Sequence, residues 1–290
     1  MMRFQTADWR LQNWVWVTTA TMAVVAVLAA ATPRAQSGAV DARRKAFDEL
    51  LDLDVRDGMV YYRALKAERS RLDGYIGSLA MVPIESSPRE EQIAFWINAY
   101  NAVVLQTVID HYPVVQRTHD YPARSIRQIS GAFERLTHRI GGRTVTLDQI
   151  EQNILSGFHD PRIPLALGRG AIGSGRLRSE AYVPDILDRQ LTAAADECVN
   201  RSQCVEIDRP QDKVRVSSIF SWREKDFVAV YADRAPETFG ARSPIERAVV
   251  AFVGPRLLAS ERELLARNEF KMEYIPFDWT LNDLTGRGGR

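Results

Sequence analysis

The segment that most constrains this fold is residues 95–113, "FWINAYNAVVLQTVIDHYP". Ser87-Pro88, with Glu90 and Glu91 behind it, marks a helix start, and the helix predicted over about 89–111 is apolar on nearly every face. A surface helix carries one apolar stripe, so this one must be surrounded by other elements. Its polar exceptions are Asn98, Asn101 and Gln106, the two asparagines three residues apart and thus on nearly one face. A buried amide is costly unless all its groups are bonded. The pair therefore implies an internal network, either tying loop backbone to the helix or lining a polar pocket.

Around this helix the pattern is α+β: a single, mostly helical domain with short mixed or antiparallel strands. Helices are expected over 41–55, 63–80 and 184–197, and from the capping box Thr146-x-x-Gln149 through Ile150, Ile154 and Leu155. Two more start at Ser243-Pro244-Ile245-Glu246 and Ser260-Glu261-Arg262-Glu263. Residues 136–147 read as a hairpin turning at Gly141-Gly142, and "DGMVYY" as a turn and a short strand. "CVEI" and "KVRVSS" read as paired strands, "KMEYIPFDW" as a last strand, and "RIPLAL" as an irregular or edge strand because of Pro164. No regular strand–helix alternation supports a doubly wound sheet.

Residues 1–35 stand apart from this domain, which occupies 36–290. Arg3 and Arg10 precede an uncharged stretch from Leu11 to Pro33, followed by small residues. This reads as a secretory signal cleaved after Ala31 or Ala35, or as an uncleaved membrane anchor through residues 14–31. Either makes the protein exported, periplasmic or extracellular. The formal charge of +1 becomes about −1 once Arg3, Asp8, Arg10 and Arg34 are removed. With no basic stripe, nucleic acid is not an expected partner. Cys198 and Cys204, the only cysteines, lie across a polar turn and suit a small disulfide in an oxidising compartment; two free thiols are the alternative.

Motif-like stretches narrow the chemistry. Gly168, Gly170 and Gly173 form a Gly-x-Gly-x-x-Gly run, yet no helix opens behind them and no acidic residue ends a second strand about 20 positions on. The run reads as a loop, with no nucleotide. "DLDVRDG" imitates a calcium loop, but ligand positions fall on Arg56 and Arg63. His111, His119, His138 and His159 form no metal-binding pair, and no serine elbow is present. No metal and no cofactor is expected.

The order of "RDGMVYYRAL", "FWINAYNAVVLQTVIDHYP", "GGRTVTLDQIEQNIL", "DPRIPLAL", "VSSIFSWREKDF" and "FDWTLND" resembles the domain of unknown function 547 family over roughly residues 43–284. The resemblance implies a fold and candidate positions more than an activity. Typical members carry histidine where this chain has Gln152 and Pro164, and cysteines aligning near Arg169 and Ser174. Such a set suggests a thiol site, since imidazole and thiolate activate each other. Here those groups are replaced, so the expectation is a non-catalytic, pocket-bearing or interaction domain of the cell envelope, with an envelope ligand or protein as partner.

Matching positions that survive are Asn98, Asn101, Glu151, Asp160, Arg162, Trp222, Asp226, Asp278, Trp279 and Asn282. Asn98, Asn101, Glu151, Asp160, Arg162, Arg169 and Asp278 are the candidate pocket residues. A framework pair of Arg162 with Glu151 or Asp278 is expected. The alternative is a hydrolase or acyl transferase acting on envelope material through Glu151, His159 and Arg162.

Overall fold

The computed structural model describes residues 33–285, with side chains from residue 42 onward. The signal or anchor read over 1–35 thus lies almost wholly outside the described residues. No helix among the described residues is long and apolar enough to cross a membrane.

Helix α1 (Pro33–Asp54) begins earlier than the 41–55 helix of the sequence reading and buries Phe47, Leu50 and Leu51. Strands β1 (Val55–Arg56) and β2 (Met59–Val60) form an antiparallel hairpin around Asp57 and Gly58, both at positive φ, as a two-residue Asp-Gly turn requires. The single helix expected over 63–80 is two, α2 (Tyr62–Ala67) and α3 (Ser70–Leu79). The break at Glu68–Arg69 lets each bury its own apolar set. Then comes α4 (Arg89–Asp110), where every residue from Ile93 to Ile109 except Phe95 and Gln106 is buried.

The hairpin of β3 (His138–Ile140) and β4 (Arg143–Val145) turns at Gly141-Gly142 as expected. Thr146 and Gln149 form the capping box of α5 (Leu147–Gln149). The helix then widens into a π turn at Ile150–Ile154 and tightens into a 3₁₀ turn at Leu155–Phe158. "RIPLAL" is no strand: Ile163–Ala166 is a 3₁₀ turn, where the missing amide and fixed φ of Pro164 are tolerated.

Helix α6 (Leu187–Val199) leads to β5 (Val205–Asp208) and β6 (Lys213–Ser217), then α7 (Ser218–Trp222), α8 (Glu224–Tyr231) and α9 (Pro244–Val253). Helix α10 (Ala259–Arg267) starts two residues before the box read at Ser260: Leu258 is the cap, and Glu261 accepts from its amide and so sits in the first turn. Strand β7 (Lys271–Ile275) completes a three-stranded sheet in which the central β6 pairs antiparallel with β5 and parallel with β7. The architecture is α+β with small sheets.

Two apolar clusters result. One surrounds α4; the other packs Phe220, Phe227, Val249 and Phe252 beside the sheet. The 163–167 turn is their seam, since Ile163, Ala166 and Leu167 join the first and Leu165 the second.

Candidate functional site

The π turn swings Glu151 inward beneath the 163–177 loop. Its carboxylate meets the edge of the Arg169 guanidinium in a bidentate pair, with Nη2–Oε1 at 2.5 Å and Nε–Oε2 at 3.2 Å. Tyr100 of α4 donates to Oε2 at 3.0 Å, and Arg169 Nη1 donates to the carbonyls of Pro164 and Leu167. Both charged side chains are withdrawn from water, 3% exposed for Arg169 and 9% for Glu151. Burial alone would lower the Arg169 pKa, but the charge of Glu151 and its hydrogen bond turn the net shift upward. Burial, then the Glu151 charge, pushes the Tyr100 phenol well above its ordinary value, so it stays a donor. A bidentate, fully bonded pair meets the conditions under which burying two charges is tolerable.

This cluster leaves little open space around it. What remains beside Glu151, between Leu155, Asp160, Pro164 and Arg223, is about 10 Å³, at the limit for a single water.

Both asparagines of α4 are bonded to loop backbone. Asn98 donates to the Tyr182 carbonyl and accepts from its amide, each at 2.8 Å. Asn101 donates to the Ala166 carbonyl and accepts from the Gly168 amide. Asn282 acts similarly, donating to the Gly58 carbonyl while accepting from the Tyr62 hydroxyl. These amides fasten the loops above and below α4.

The expected pairing of Arg162 with Glu151 or Asp278 does not form. Arg162 bonds both oxygens of Asp160, at 3.0 and 2.8 Å, and reaches Asp188 at 2.8 Å. The reason is local: Asp160 also accepts from the Arg162 amide, so the two-residue spacing closes its own ring. Asp278 is exposed and accepts from the Thr280 amide. His159 is exposed, at φ 53°; its amide donates to the Ser156 carbonyl, and its imidazole makes no hydrogen bond among the described residues. Glu151, His159 and Arg162 therefore point to three different surroundings.

His159 instead borders an open groove of about 870 Å³ with Trp222, Arg223, Asp226 and Pro244. Trp222 is 46% exposed and leans on Phe277 and Trp279. Asp226 is held by Arg223, which also donates to Gln152.

The glycine run is a packing device. The amides of Gly168, Arg169, Ile172, Gly173 and Ser174 are bonded to Asn101, Ser174, Thr280, Asp278 and Ala171, so they are not available to a phosphate. Glycine is needed because backbones nearly touch: a Cβ on Gly173 would stand 2.7 Å from the Asp278 nitrogen, and one on Gly175 1.8 Å from the Leu165 carbonyl oxygen. Cys198 and Cys204 form a disulfide, which decides against two free thiols. No cluster of three potential metal ligands exists among the described residues.

Residues 84–199 match the family described as "Protein of unknown function, DUF547". The chain resembles DUF547 over the stretch that holds α4, Glu151, Asp160, Arg162 and Arg169. The "VSSIFSWREKDF" and "FDWTLND" segments, with Trp222 and Asp278, lie beyond the matched residues. No curated protein and no solved structure matches the chain.

Tyr100 was missed by the sequence reading. The available signal was a tyrosine inside an all-round apolar helix, whose hydroxyl must find a partner when buried.

Proposed function

We propose that this is an exported, non-catalytic DUF547-like domain of the cell envelope that binds a ligand or a partner protein. The observation that carries this reading is the Arg169–Glu151–Tyr100 cluster. An arginine occupies the position where the family resemblance expects a thiol, and its guanidinium is consumed by Glu151 and two carbonyls. Glu151 and Arg169, the charged groups at that position, are both buried and bonded to each other. The open groove beside Trp222 supports a binding role, because an aromatic face flanked by charged side chains suits recognition without chemistry. The disulfide accords with an oxidising compartment, and attachment through residues 14–31 belongs to the same proposal.

The test is turnover by the purified domain of envelope-derived ester, amide and glycan fragments, alongside binding of the same fragments. Binding without turnover is the expected result, and Trp222→Ala should weaken it. Fractionation of cells expressing the full chain should place it outside the cytoplasm.

A second reading, a hydrolase or acyl transferase, draws on His159 bordering the large groove. It predicts turnover that His159→Ala abolishes. Turnover lost in that variant would overturn the non-catalytic reading.

A further inference from the structure

We propose that a second cleft, on the far side of the glycine-rich loop, binds a small oxyanion: the phosphate or carboxylate end of a ligand. This cleft of about 170 Å³ lies between the Asp57–Gly58 turn, residues 171–176 and the disulfide loop, with Ser174, Arg176, Arg201 and Gln203 on its walls. It is separate from the Arg169–Glu151 cluster and from the Trp222 groove, so the inference does not rest on either.

Its donors are only partly matched. The Arg201 guanidinium makes no hydrogen bond or ion pair among the described residues, although the side chain is partly withdrawn from water. The Nε of Arg176 is buried without a partner, while its other nitrogens reach Asp57 at 3.1 Å and Glu197 at 3.6 Å. The net influence on Arg201 is to lower its pKa, first by burial and further by Arg176, against the opposing charges of Asp57 and Glu197. Two cations facing one polar hollow thus lack full compensation. A buried donor without an acceptor, as at Arg176 Nε, costs roughly 1–3 kcal/mol, and an oxyanion in the cleft would accept charge-assisted bonds from Arg176 and Arg201.

The walls are built rather than incidental. Arg201 sits in a turn whose carbonyl accepts from the amides of Cys204 and Val205, while its own amide donates to Cys198. The disulfide closes this same turn. Opposite, Gly58 at φ +78° lets the Arg176 stem lie against the hairpin, where a Cβ would stand 2.9 Å from its Cγ. The Asp57 carboxylate is the natural competitor for Arg176, but it is 89% exposed and free to swing away.

The experiment is thermal unfolding and calorimetric titration of the full chain with inorganic phosphate and, separately, acetate, against chloride at equal ionic strength. Expected is a rise in Tm and saturable binding with at least one of the two, and the stronger identifies the head group. Arg201→Gln and Arg176→Gln should each weaken binding about tenfold or more, the size of one charge-assisted hydrogen bond. Asp57→Asn, which suits the left-handed turn, should leave binding intact or tighter. No response to either anion, or a response that survives Arg201→Gln in a variant of unchanged Tm, would overturn the proposal. So would binding lost in Asp57→Asn.

Discussion

Arg169 is buried and Arg201 half-buried, one on each side of the same glycine-rich loop, and their surroundings are opposite. Arg169 is bonded to a carboxylate and two carbonyls, in an interior with no room for a ligand. The Arg201 guanidinium faces a polar cleft and bonds to no described side chain or carbonyl. Burial with every donor matched makes an arginine part of the framework. Partial burial with donors unmatched, facing a polar cleft, leaves charge-assisted hydrogen bonds to be made by something else.

The sharpest way to break this contrast is to remove the guanidinium from the matched side. Arg169→Met strands Glu151 and should cost about 3–5 kcal/mol. Urea titration measures it, and adding Glu151→Gln should recover most of the loss, because the pair replaced by groups of similar shape leaves no buried charge. If the single variant unfolds like wild type, the cluster is not the framework claimed here.

Next in size is the loop that separates the two sides. Gly175→Ala forces a Cβ against the Leu165 carbonyl and should lower stability by about 2–3 kcal/mol. Gly157→Ala, with nothing within 4 Å of the added carbon, is the control and should move Tm little.

His138 supplies an intermediate case, partly buried, with Nε2 lacking a partner. Burial lowers its pKa from 6.5, although Asp110 pulls the other way. The folded state therefore holds it neutral where the unfolded chain begins to take a proton. Its contribution is full above pH 6.5 and is lost as pH falls toward the lowered folded value, with a slope below about 1.4 kcal/mol per pH unit. Stability measured from pH 7.5 down to 5 should show this decline, and His138→Phe should flatten it.

The smallest effect belongs to Arg201. With no partner to strand, Arg201→Gln should change stability in the absence of ligand by no more than about 0.5 kcal/mol. A large loss would mean that its charge is matched after all, and the comparison with Arg169 would fail.

Much of the fold could be read from local pattern. The buried helix, the Gly141-Gly142 hairpin, the caps at Thr146 and Ser243 and the β5–β6 pair each depend on residues a few positions apart, where spacing and turn chemistry act directly. The breaks inside expected elements were harder. Glu68–Arg69 carries no proline or glycine, and the π turn at Ile150–Ile154 leaves no compositional mark. The candidate site was half visible for the same reason. Asn98 and Asn101 announced themselves as amides among aliphatic neighbours, but which carbonyls they bond depends on loops 65 and more residues away.

The sequence alone determined the α+β class, the burial of α4 and the resemblance to DUF547, because periodicity and motif order are properties of the chain itself. Tertiary structure decided the partners of the charged groups: Glu151 went to Arg169 and not Arg162, and Arg201 was left facing a cleft. Ion pairing depends on distances of a few ångströms between segments far apart in the chain, and hydropathy patterns carry no such information.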